Sequence, residues 1–210
     1  MSIKKPILIV AGEPYSIFSE ILFKLYKKYQ LKNPLIIIAS YRLFKKQMEL
    51  LNYKIPFNII DKNFNNKDLK INEINLINID FNFSKTFGEI SDESNSYNKK
   101  CFELALKIIK EKSFLGLING PISKRNFLKK KFLGITEYLA KKTKTKDFVM
   151  LIYNKNLSVS PITTHIPLKK VSTHISKKKI INNISIIKKF YKKKLKKNIK
   201  IAITGLNPHC

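Results

Sequence analysis

Residues 7–39 read ILIVAGEPYSIFSEILFKLYKKYQLKNPLIIIA, and the fold turns on how this stretch is parsed. Ile7 to Ala11 and Leu35 to Ala39 are short, unbroken apolar runs of the length a buried strand needs. Between them Ile17, Ile21, Leu25 and Tyr29 recur at every fourth position, the stripe of an amphipathic helix. Buried strand, amphipathic helix, buried strand is the pattern of a largely parallel sheet with helices on its faces, which predicts an α/β fold.

The same alternation continues outward. Spacing predicts a helix over about Tyr41 to Leu51 and a strand from Phe57 to Ile60, followed by a polar, Asn-rich loop from Asn63 to Asn75. Ser91 or Asp92 can cap a helix running to Lys112, with Phe102, Ala105, Leu106 and Ile109 on its inner face. Phe114 to Ile118 is expected to be a strand that delivers Asn119-Gly120-Pro121 to the sheet edge. Phe148 to Tyr153 and Leu157 to Thr163 are expected to pair around a tight turn at Asn154-Lys155-Asn156. Ile180, Ile184, Ile187 and Tyr191 mark a last amphipathic helix, and Lys200 to Ile203 a last strand.

Composition narrows the class of protein. With 210 residues, 44% of them hydrophobic, the chain can bury one good core or two small ones. Its apolar runs fall far short of the roughly 20 residues of a membrane span. The run at Ile7 to Ala11 ends at Gly12-Glu13-Pro14, before signal-peptide length, so a cytoplasmic location is expected. Cys101 and Cys210 lack metal-ligand spacing and are read as free thiols. The net charge of +28 invites a polyanion partner, but 40 of the 42 basic residues are lysine and only Arg42 and Arg125 are arginine. Arginine is the residue that pairs bidentately with phosphates and bases, so a solvated lysine surface is the expected reading and neither nucleic acid nor membrane is an expected partner.

Ligands of open α/β sheets bind beyond the carboxyl ends of the strands, which draws attention to four segments. They are Gly12-Glu13-Pro14, Gly120-Pro121-Ile122-Ser123-Lys124, Thr163-Thr164-His165-Ile166-Pro167-Leu168 and Gly205-Leu206-Asn207-Pro208-His209. His165 and His209 each follow an expected strand, and two converging imidazoles could hold a divalent metal. Spacing alone favours ordinary surface or hydrogen-bonded histidines over a metal pair. His174 sits in a polar stretch and is expected to be a solvent-exposed bystander. Lys124 could open a helix facing an anion, or simply follow a Gly-Pro turn.

Together and in this order, the segments resemble the 4-hydroxythreonine-4-phosphate dehydrogenase family. Its members carry GDPAGIGPE, GPI(N/S)K, PGHTEYLA, TTHIPL and GLNPHAGE segments, matched here by residues 12–20, 120–124, 133–140, 163–168 and 205–210. TTHIPL and GLNPH are the specific matches. The resemblance runs the length of the chain and corresponds to roughly the N-terminal two thirds of a family member. It implies a two-lobed α/β/α fold like that of the isocitrate and isopropylmalate dehydrogenases, with a first lobe over residues 1–125 and an incomplete second lobe over residues 126–210.

The resemblance also implies the chemistry. His165 and His209 match two of three histidine ligands of a divalent cation (zinc, magnesium or cobalt), the third lying in a segment with no counterpart here. Thr136 matches the threonine of the substrate-binding His-Thr pair, with Ile135 where the family has histidine. Isoleucine neither donates a hydrogen bond nor bears charge. Tyr15, Ser16, Phe18 and Ser19 replace the small residues and proline of the family's first loop. The implied reaction is oxidation of 4-phosphooxy-L-threonine by NAD or NADP, then decarboxylation to 3-amino-2-oxopropyl phosphate in pyridoxal phosphate biosynthesis, by a homodimer with sites near its interface. Without the third histidine and its surroundings, the 210 residues are expected to lack turnover by themselves. Neither a catalytic acid or base nor a cofactor-binding residue is assigned. Ile135 keeps open a dehydrogenase for a related phosphorylated four-carbon acid, and the +28 charge a non-catalytic RNA-binding derivative.

Overall fold

The computed structural model describes residues 4–128 and 131–207. The chain forms two compact units, Met1–Lys131 and Phe132–Cys210. In the first, five strands make one parallel sheet in the order β3-β4-β2-β1-β5: β1 Ile7–Val10, β2 Leu35–Ala39, β3 Phe57–Ile59, β4 Ile74–Asn78 and β5 Leu117–Asn119. Helices α1 (Phe18–Lys28), α2 (Tyr41–Leu50) and α3 (Asp92–Glu111) connect them.

Period-two alternation along the strands divides the core between the two faces of the sheet. Ile9, Ala11, Leu35, Ile37, Ala39, Ile74 and Leu76 share one cluster with Leu22 and Phe23 of α1 and Phe44 and Met48 of α2. Leu8, Val10, Ile36 and Ile38 alternate with these and are equally buried, and α3 packs on β1 and β2 with Tyr97, Cys101, Phe102, Ala105 and Ile108 buried. Ile108, not Ile109, lies on the inner face, so that face is turned by one residue from the expected one. Serines begin two of the helices: Ser40 Oγ accepts from Leu43 N at 3.4 Å, and Ser91 Oγ accepts from Ser94 N at 3.3 Å in a reciprocal capping box.

One strand was not expected, and it begins inside the expected loop, at Ile74 and Asn75. β4 carries Asn75 at its centre, fully buried and fully bonded. Its Nδ2 donates to Leu35 O at 2.9 Å and Lys70 O at 2.7 Å, and its Oδ1 accepts from Asn58 Nδ2 and Lys70 N, each at 2.8 Å. These bonds offset the desolvation that would otherwise keep an amide out of a sheet interior.

The second unit contains α4 (Ile135–Lys142) and α5 (Lys177–Phe190), the latter capped by Ser176 and running into a π-helical turn at Tyr191–Leu195. Two expectations are corrected here. Residues 148–163 do not form a strand pair; they close around the expected turn with the single antiparallel bridge Ile152↔Val159. Lys200 to Ile203 joins no ladder among the described residues. The physical reason is the lack of anything to pack on, since Ile152, Val159 and Ile203 are 58%, 54% and 62% exposed and an isolated hairpin is marginal in water. No helix among the described residues is long and apolar enough to cross a membrane.

Candidate functional site

In the first unit the chain runs from β1 through β2 out to the β3 edge, then crosses back from β4 through α3 to lay β5 on the other side of β1, so the winding reverses between β1 and β5. That reversal is the place where open α/β sheets form a ligand crevice. Here the two loops at the reversal are sewn together by backbone. Glu13 N donates to Pro121 O at 2.7 Å and Gly120 N to Val10 O at 2.8 Å. Gly12, at φ 80°, would drive a Cβ into Pro121 O, and a Cβ on Gly120 would collide with Ala11 O. Both glycines therefore serve close approach of one loop to the other. They do not face open space as the glycines of a pyrophosphate-binding loop do.

The enlarged side chains of the first loop pack rather than project. Tyr15 meets Phe81 edge-on at 5.7 Å and Phe18 lies 6.3 Å from Phe44. Glu13 is 5% exposed, with Asn98 Nδ2 donating to its Oε2 at 3.1 Å. Burial pushes its carboxyl above the ordinary range, against the opposing pull of Ser94 and Asn98. Sequence reading treated Glu13 as a strand-end residue and passed over Asn98; only the fold brings together residues so far apart in the chain. Lys124 is exposed in a turn over residues 124–127, with Asn126 N bonded to Ser123 Oγ at 3.2 Å, and opens no helix.

In the second unit, His165 stands beside the start of α4. The helix begins at Gly134, so half-buried Ile135 and Thr136 occupy its first two positions and Glu137 the third. A Cβ added at Gly134 would lie 3.0 Å from Glu137 Oε2, 3.9 Å from His165 Nε2 and 4.0 Å from His165 Cδ2. The bare glycine thus leaves room for an imidazole edge and a carboxylate at one point. His165 itself is exposed and adopts φ 55°, unusual for a residue with a Cβ. An imidazole nitrogen and a carboxylate oxygen are donors of the kind a divalent cation accepts. No three such donors come together among the described residues, and His209 lies outside them. His174 is exposed, its Nδ1 2.8 Å from Lys170 O.

Glu137 is a site neighbour the sequence reading missed. The signal was present in Gly134 followed three residues later by Glu137, the spacing by which an acidic side chain returns to a helix start.

A parallel sheet with helices on both faces makes the first unit an α/β fold. The family model described as "Pyridoxal phosphate biosynthetic protein PdxA" matches residues 30–210, and the chain belongs to that family. It is 36% identical over 205 residues to the 4-hydroxythreonine-4-phosphate dehydrogenase of Sulfurihydrogenibium sp. (strain YO3AOP1), covering 96% of this chain and 62% of that protein. The Aquifex aeolicus (strain VF5) protein of the same name is 30% identical over 212 residues, covering 98% of this chain and 63% of its own length. The chain thus spans less than two thirds of these relatives. A crystal structure of 4-hydroxythreonine-4-phosphate dehydrogenase from Klebsiella pneumoniae superposes with a TM-score of 0.77 at 23% identity, over 90% of this chain and 60% of that one, and establishes likeness of fold.

Proposed function

We propose that this chain takes part in the metal- and NAD(P)-dependent oxidation of the C3 hydroxyl of 4-phosphooxy-L-threonine, followed by loss of carbon dioxide to give 3-amino-2-oxopropyl phosphate. The observation that carries the reading is the approach of the His165 ring to Gly134, at the start of the helix that presents Ile135 and Thr136. In family members those two helix positions belong to the substrate-binding pair.

In this reading His165 and His209 hold a divalent cation, which supplies Lewis acidity to the substrate oxygen in both steps. Thr136 offers the substrate a hydroxyl, and the first-turn N–H groups of α4 lack intrahelical acceptors and suit an anion such as a phosphate. Ile135 lines the same place without charge. The nicotinamide, NAD or NADP, is assigned to no described residue, and the working form is a homodimer.

The test is binding. Zinc titrated into the chain should bind tenfold or more weakly to His165→Ala and to His209→Ala, since each removes one of few ligands. Equal affinity in all three proteins would remove the metal assignment. Ile135→His should tighten 4-phosphooxy-L-threonine by about 1–2 kcal/mol, the worth of a charge-assisted hydrogen bond. If the variant gains nothing for this substrate while the unaltered chain prefers a phosphorylated four-carbon acid without the amino group, the related dehydrogenase activity is the better assignment.

A further inference from the structure

Two buried oxygens at the first loop lack partners, and they belong to side chains already bonded to each other. Glu13 Oε2 accepts from Asn98 Nδ2 at 3.1 Å, while Glu13 Oε1 and Asn98 Oδ1 are inaccessible to solvent and have no hydrogen-bond partner among the described residues. Both orphans are acceptors when the carboxyl is ionised, so neither can satisfy the other. The Ser94 hydroxyl lies within reach of Glu13 and also of Ser91 O, 2.8 Å away; its single proton serves one of them at a time and in either position leaves Asn98 Oδ1 without a donor. One proton placed on Glu13 satisfies both atoms at once.

We propose that Glu13 is a positioning residue that works as a neutral carboxylic acid, its Oε1–H donating to Asn98 Oδ1 while Asn98 Nδ2 donates to its Oε2, which closes a cyclic acid–amide pair. The pair ties the loop after β1 to α3. The same loop is held from α2 by Gln47 Nε2, which donates to Pro14 O at 2.9 Å, and from β5 by the backbone of Pro121. The surroundings favour the neutral form. The titratable groups that feel Glu13 are Tyr15 on its own loop and Tyr97 on α3, with Glu93 acting on Tyr15 and Cys101 on Tyr97; none of these is a cation. An isolated carboxylate in such a place would keep its full desolvation cost.

The direction of the pH dependence follows. A carboxyl whose folded pKa is raised contributes stability that is fully present below its unfolded pKa and is lost as pH rises through the folded value. Glu13→Gln reproduces the neutral pair, since its amide donates to Asn98 Oδ1 and its carbonyl accepts from Asn98 Nδ2, and it cannot ionise. Thermal unfolding of the chain and of E13Q should therefore agree near pH 4, below the ordinary glutamate pKa, and separate toward pH 8, with E13Q the more stable by about 3 °C or more. The histidines and the other carboxyls titrate alike in both proteins and cancel in this difference. A difference that stays constant with pH, or an E13Q that is less stable throughout, overturns the proposal. If E13Q does not fold, infrared spectra of the unaltered chain carrying carboxyl-labelled glutamate decide: a protonated-carboxyl band at neutral pH supports the pair, and its absence refutes it.

Discussion

Ile36, Ile37 and Ile38 of the first unit are fully buried, whereas Ile152 and Val159, which form the one bridge among the described residues of the second, are more than half exposed. The two units differ as sharply in charge. Residues 132–210 carry eighteen lysines against Glu137 and Asp147, while the ion pairs Lys24–Glu20, Lys46–Glu49 and Lys70–Glu73 lie in the first unit. The buried apolar side chains described in the second unit are Tyr138, Ala140 and Tyr191. Apolar sequence becomes a sheet only where other elements cover it. The same kind of apolar run gives a buried strand at Leu35–Ala39 and half-exposed coil at residues 148–151.

The contrast is most exposed to test in the cores. Phe23→Ala should cost about 3–5 kcal/mol in urea unfolding, because the ring is fully buried between Phe44 and Tyr53. Leu157→Ala, 75% exposed in the second unit, should change stability by no more than about 0.5 kcal/mol. Comparable losses would mean that the second unit has a core of its own at that position. A smaller effect tests the seam between strand ends: Gly120→Ala should cost about 1–3 kcal/mol, since its Cβ meets backbone that cannot rotate away. At the low end, Ser91→Ala should cost about 1 kcal/mol through loss of the α3 cap, read by the same denaturation.

Sequence alone made much of the first unit legible because its signals are local. The stripe from Ile17 to Tyr29 marks α1 to within a residue at each end, and Ser91 announces α3. β4 was illegible because its identity depends on Asn75 finding acceptors at Leu35 and Lys70, a fact of tertiary structure that makes a polar residue behave as core. The strand pair at residues 148–163 failed for the opposite reason, since apolar content without a covering layer does not hold a strand. The candidate site was proposed from motifs; of its residues, His165 stands beside the helix start that carries Ile135 and Thr136, and His209 lies outside the described residues. The spacing from Gly134 to Glu137 hinted at the neighbouring Glu137, whereas the Glu13–Asn98 pair was not legible, because it depends on which atoms the fold leaves in contact.

The glycine seam also bears on the order in which the first unit assembles. Gly12 and Gly120 are separated by about a hundred residues, so closing that contact requires every intervening strand and helix to be gathered first. β1 pairs with β2 across a short connection, while β5 reaches β1 from the far side of the chain. Contacts of such high order tend to form after the rate-limiting step, and a lesion there shows itself in the escape from the native state. Gly120→Ala should therefore speed unfolding while leaving the refolding rate nearly unchanged, whereas Leu35→Ala, in the strand beside β1, should slow refolding as well.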